Sequence, residues 1–164
     1  MDAAADFRPE EILAVVARHQ VSFVVIGGLA AIAWGSPHVT SDIDIAPDRT
    51  APNLERLSAA LDELDARVWT PAVPEGVAFG HDALSLADVG VRNLVTRFGR
   101  LDISFLPSGT QGYDDLHRDA ERLDLLGVVV EVASLADVIR SKEAAGRDKD
   151  RLVLPALRRL LEEG

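Results

Sequence analysis

Residues 24–47, VVIGGLAAIAWGSPHVTSDIDIAP, decide how this chain folds. Gly27 and Gly28 interrupt an apolar run where a β-branched strand hands over to a helix, and after a gap of 13 residues (29–41) Asp42 and Asp44 alternate with Ile43 and Ile45. Successive side chains of a strand point to opposite faces. The isoleucines therefore share one face, suited to a core, and the aspartates share the other. Asp102, in GRLDISF, has the same setting between Leu101 and Ile103.

Working outward, Pro9 to His19 reads as a helix with Ile12, Leu13, Val15 and Val16 on its apolar face. VSFVVI is a strand, GGLAAIAWG a compact helix, SPHVT a turn and SDIDIA a second strand. APNLERLSAALDELDA is amphipathic, with Leu54, Leu57, Leu61 and Leu64 at helical spacing. From Arg67 to about Ala87 the pattern weakens around PAVPEG and Gly80, which predicts a loop or lid with at most one short strand. VRNLVTRFGRLDISFLP reads as a hairpin, GYDDLHRDAERL as a short helix and GVVVEVA as a strand. A capping box from Ser134 to Asp137 opens a helix that Gly146 closes, and a last helix runs from about Asp148 to Glu162, either kinked or divided at Pro155. This order predicts an α/β (α+β) fold, a small mixed sheet with helices packed against one face and C-terminal helices. One domain over residues 1–164 is expected, with a core at about 9–132 and a C-terminal helical segment at about 134–162.

Composition narrows the chemistry. The chain has 164 residues, 48% hydrophobic and only 5% aromatic, so aliphatic side chains supply its core. It has no cysteine, which leaves carboxylates and imidazoles as metal ligands. No apolar run suits a membrane span, and the acidic start MDAAADFRPEE is unlike a signal peptide, so a cytoplasmic location is expected. A net charge of −10 argues against a general basic surface for nucleic acid. Basic residues nonetheless gather late in the chain, at Arg140, Lys142, Arg147, Lys149, Arg151, Arg158 and Arg159. The glycine spacing of a dinucleotide site, the lysine of a P-loop and the context of a nucleophile elbow are all absent. None of His19, His38, His81 and His117 has a carboxylate at a spacing that indicates zinc.

A lone D-x-D is commonly a solvated strand end, and a glycine pair is commonly a tight turn. Three aspartates on buried strands are harder to explain as structure, because unpaired buried carboxylates are costly. Two close carboxylates repel and raise each other's pKa until a cation compensates. Mg²⁺ suits that donor set. Glycines at a strand-to-helix junction let the backbone approach a phosphate, with the amides of the following helix directed at it.

Together these residues resemble the nucleotidyltransferase fold of the DNA polymerase β superfamily. The stretches VTSDIDI, TRFGRLDISFLPSGTQGYDDL and SLADVIRSKEAAGRDKDRLVLPALRRLL are similar, within it, to small AbiEii-type and MenT-type toxins. The resemblance implies an Mg²⁺-dependent enzyme, with a two-metal site, that moves a nucleoside monophosphate from an NTP to a hydroxyl acceptor. It implies Asp42, Asp44 and Asp102 as metal-binding and catalytic residues, and Gly27 and Gly28 at the phosphates with Thr40 or Ser41 beside them. Lys142 would act on the triphosphate, with Asp150 as a further nucleotide contact and Lys149 and Asp148 as rivals. Relatives often carry arginine at the position of His38, so no phosphate contact transfers to it.

The acceptor expected from the toxins is tRNA or another RNA, held by the late basic residues, with a cognate antitoxin as partner. Resistance enzymes of the same fold imply a small-molecule acceptor such as an aminoglycoside or lincosamide, met by Glu75, Asp82 and Asp88. A non-catalytic nucleotide sensor is the third alternative.

Overall fold

A computed structural model describes residues 6–164; of the acidic start read above, residues 1–5 lie outside the described residues. In chain order the elements are α1 (Pro9–Arg18), β1 (Phe23–Ile26), α2 (Gly27–Ala33), β2 (Asp42–Pro47), α3 (Ala51–Glu63), β3 (Arg67–Thr70) and β4 (Val73–Val77). There follow α4 (Ala83–Ala87), β5 (Val91–Thr96), β6 (Gly99–Ser104), α5 (Tyr113–Asp119), β7 (Glu121–Leu125), β8 (Val128–Val132), α6 (Leu135–Ala145) and α7 (Asp148–Glu163). Eight strands form one sheet in the order β4-β3-β5-β6-β2-β1-β8-β7. It is mixed, as the element order predicts: β1 runs parallel to β8 and β2 parallel to β6, while the other neighbours are antiparallel.

Side-chain alternation separates two environments at the sheet centre. Ile43 and Ile45 pair in register with Leu101 and Ile103, and all four are at most 1% exposed. Asp42 and Asp44 lie on the opposite side, where α2 and α6 wall a cavity. Cover thus stands on both sides of the central strands, more than the single face expected, because the isoleucine side needs an apolar partner and the aspartate side is roofed separately. Among the described residues no helix is long and apolar enough to cross a membrane.

Three local expectations change. Residues 67–87 are not mainly loop but contain the hairpin β3–β4 and the short α4. Pro74 fits β4 because β4 is the sheet edge, where a strand can lack a donor. The helix expected over 112–123 stops at Asp119, and ERLDL becomes the edge strand β7. It pairs with β8 across a turn in which Leu126 and Gly127 both have positive φ, 57° and 88°, as a tight hairpin requires. Finally, α7 continues through Pro155 as one helix. The expected start of α6 is present, with Ser134 Oγ accepting from Asp137 N at 3.1 Å, and Gly146 ends it with φ 61°.

Asn53 ties the end of β2 to the start of β1. Its side chain is fully buried, accepts from Ser22 N at 2.7 Å and donates to Ser22 O at 3.0 Å and Asp48 O at 2.7 Å. Asn53→Leu leaves those backbone groups without partners and is expected to cost about 2–3 kcal/mol, measured by urea denaturation.

Candidate active site

The site is built on strand register. Asp44 pairs with Ile26 on one side and with Asp102 on the other, which places all three aspartates on one face of β2 and β6. One carboxylate oxygen from each of Asp42, Asp44 and Asp102 lies within 4.8 Å of the others. Thr40 Oγ1 donates to Asp42 Oδ1 at 3.2 Å, and Arg100 Nη2 donates to Asp102 Oδ1 at 2.9 Å. Asp44 receives no hydrogen bond from the described residues.

Crowding shows in the protonation equilibria. Burial pushes the Asp44 carboxyl up to about 7, reinforced by Asp42 and Asp102 and opposed by Lys149 and Lys142. Burial also raises Asp102, to about 6, with Arg100 pulling down and Asp42 pushing up. Three half-buried carboxylates this close, with Asp44 without a donor among the described residues, form a hard-oxygen donor set that fits Mg²⁺.

Gly27 and Gly28 form the next wall. Gly27 has φ 67°, and a Cβ there would overlap the Asp44 carboxylate, with Cγ at 2.9 Å. At Gly28 a Cβ would come within 2.9 Å of Thr40 Oγ1. Both glycines are therefore required by close approach to the acidic strand and its hydroxyl neighbour. Thr40 lines the cavity, whereas Ser41 is exposed outside its wall. His38 is exposed at the rim.

Cations complete the cavity, which has a volume of about 490 Å³. Lys142, Arg147 and Lys149 line it. Asp150 stands behind them. It is fully buried and bonded to Arg147 Nε at 2.8 Å and to Arg147 N at 3.2 Å, with Lys142 Nζ at 3.6 Å. The carboxylate expected to touch the nucleotide therefore caps α7 and braces two cavity cations, outside the cavity wall. Asp148 is exposed and paired with Arg151 at 3.1 Å.

Sequence reasoning passed over Arg100 and Asn93. Asn93 lines the cavity from β5, in register with Asp102. The signal for Arg100 was its position two residues before Asp102, which on a strand means the same face.

No family profile and no curated protein matches the chain in sequence. Solved structures do match. A Thermotoga maritima protein described as a nucleotidyltransferase is 20% identical with a TM-score of 0.55, covering 96% of both chains. Lincosamide antibiotic adenylyltransferase LnuA, solved with lincomycin, is 15% identical with a TM-score of 0.62, covering 94% of this chain and 99% of that one. The chain has the nucleotidyltransferase fold. A third structure with this nucleotidyltransferase fold, the antibiotic-resistance factor ANT(2'')-Ia, is 14% identical with a TM-score of 0.50 over 94% of this chain and 91% of its own.

Two outcomes follow from the geometry of this nucleotidyltransferase fold. Gly27→Ala is expected to cost about 1–2 kcal/mol and to weaken Mn²⁺ binding, because relief of the overlap turns the Asp44 carboxylate; thermal melting and Mn²⁺ titration measure both. The second concerns pH. Asp44 has an ordinary pKa of 3.8 and a folded value of about 7, so its neutral form favours the fold. That contribution is complete below about pH 4 and vanishes as pH rises through about 7. The metal-free protein should melt higher at about pH 5 than at about pH 8, Asp44→Asn should shrink the difference, and Mg²⁺ should stabilise most at the higher pH.

Proposed function

We propose that this chain is a Mg²⁺-dependent nucleotidyltransferase that moves a nucleoside monophosphate from an NTP to a hydroxyl acceptor. The observation that carries this reading is the clustering of Asp42, Asp44 and Asp102 opposite Gly27-Gly28 in a cavity also lined by Lys142 and Lys149. Asp42, Asp44 and Asp102 would hold the metal, which when bound neutralises phosphate charge and stabilises the oxygens exchanged in an in-line displacement. Lys142, Lys149 and Arg147 supply the positive charge that a triphosphate meets, and Gly27 and Gly28 leave the backbone open to it. Thr40 orients Asp42 by its hydroxyl. The acceptor oxygen bonds to the α-phosphorus as the bond to pyrophosphate breaks, and Asp102 takes the acceptor proton. Positioning and electrostatics account for such chemistry without a covalent enzyme intermediate.

For the acceptor, ion pairing favours a small hydroxyl compound over RNA. Of the six late basic residues other than Lys142, which are those expected to contact RNA, Arg140, Arg147, Arg151 and Arg158 are paired with carboxylates. Lys149 and Arg159 are left without an ion pair among the described residues. LnuA, with its bound lincomycin, supports the same preference. The tRNA acceptor and the antitoxin partner rest on the resemblance to toxins. A sensor role has less support, since all three aspartates are in place.

Incubation with each α-labelled NTP, Mg²⁺ and panels of aminoglycosides, lincosamides and tRNA tests this. Label is expected on a small hydroxyl compound, and Asp44→Ala should lower transfer by more than about 100-fold. Label on tRNA would restore the RNA reading, and tight NTP binding without transfer to any acceptor would favour the sensor.

A further inference from the structure

Arg100 is held in an unusual way for a cation beside three carboxylates. In register it lies directly opposite Asp42, so a swing toward β2 would bring its guanidinium over the acidic cluster. It turns the other way instead. Its Nε donates to Leu94 O of β5 at 3.2 Å, and its guanidinium carbon lies 3.9 Å from the centre of the Trp69 ring, on β3 two strands away. From that outer position Nη2 reaches back to Asp102 Oδ1 at 2.9 Å. The side chain is 24% exposed, and the Asp102 side chain 15%.

We infer that Trp69 and Arg100 are positioning residues for the proposed metal site. Arg100 grips one oxygen of Asp102 from outside the cluster, and the Trp69 ring keeps the guanidinium out of the space between the carboxylates. The inference rests on the metal-site reading above and adds to it a residue from the outer hairpin that touches neither metal nor nucleotide. Three restraints act on one planar group: a carbonyl at Nε, a carboxylate at Nη2 and an aromatic face. An arginine free of the ring would exchange its outer position for the strongest negative field nearby, which lies in the cluster itself. There it would compete with a divalent cation for the same oxygens. Fixing a ligating carboxylate by a hydrogen bond from behind is a general device of metal sites, and its removal typically costs 10- to 100-fold in affinity.

The test is Mn²⁺ titration of the full chain followed by electron paramagnetic resonance, with melting temperature as the folding control. Arg100→Met should weaken Mn²⁺ binding by about 10- to 100-fold. Arg100→Lys, which keeps the charge but lacks the planar fork, should also weaken it. Trp69→Leu should weaken binding by about 3- to 30-fold, whereas Trp69→Phe, which retains an aromatic face, should stay within about 3-fold of wild type. The double variant Trp69→Leu with Arg100→Met should bind no more weakly than Arg100→Met alone, because Trp69 acts through Arg100. Wild-type affinity in both Trp69→Leu and Arg100→Met, or losses that multiply in the double variant, would overturn the inference and leave the metal site standing. A wild-type protein that binds no Mn²⁺ would overturn the metal site and the inference together.

Discussion

The mutual repulsion of Asp42, Asp44 and Asp102 is the constraint on which the rest of the structure turns. A parallel pairing of β2 with β6 sets Asp44 beside Asp102, and burial removes the water that would otherwise screen them. A sheet centre carrying that much negative charge is tolerable only if its other face is apolar and its own face offers compensating charge. Both conditions are met. Ile43, Ile45, Leu101 and Ile103 seal one side, while Lys142 and Lys149 act electrostatically on Asp44 from the other.

Lys142 in turn needs support, which comes from Asp150. A fully buried carboxylate is costly unless its hydrogen-bonding capacity is filled, and Arg147 fills it from both backbone and side chain. The start of α7 is thereby fixed, and with it the direction in which Arg147 and Lys149 face. A chain of opposite charges thus runs from the sheet centre through Lys142 to the base of the last helix. Each link stabilises the next, and the aspartates at the sheet end stay without a donor only at Asp44.

Much of this was legible in the sequence because strand alternation is a rigid rule. Asp42 and Asp44 between isoleucines, and Asp102 between Leu101 and Ile103, announce their faces without tertiary information. Gly27 and Gly28 were legible as a close approach, though only coordinates identify the Asp44 carboxylate as what approaches. Lys142 was legible as a cation beside an apolar stripe. Asp150 was located but its task was not, since an acidic residue three places into a helix reads equally as a cap or a ligand. Trp69 was lost in a stretch whose prolines and glycine suggested loop, because edge strands tolerate such residues and sequence does not reveal which strand is the edge. ERLDL was hidden for a related reason: a charged edge strand looks like the end of a polar helix.

The parallel pairing of β1 with β8 has a consequence for how the protein comes into being. Val24 and Val25 find their partners at Glu131 and Val132, near the far end of the chain. The acidic strands β2 and β6 emerge during synthesis well before β8, and before the helices that bring Lys142 and Lys149. A nascent chain therefore exposes its unneutralised carboxylates first and receives their counter-charges last. Contacts of such sequence separation close slowly. The pairing of β1 with β8 thus waits for the last part of the chain, and the cationic wall arrives with the two helices that follow it.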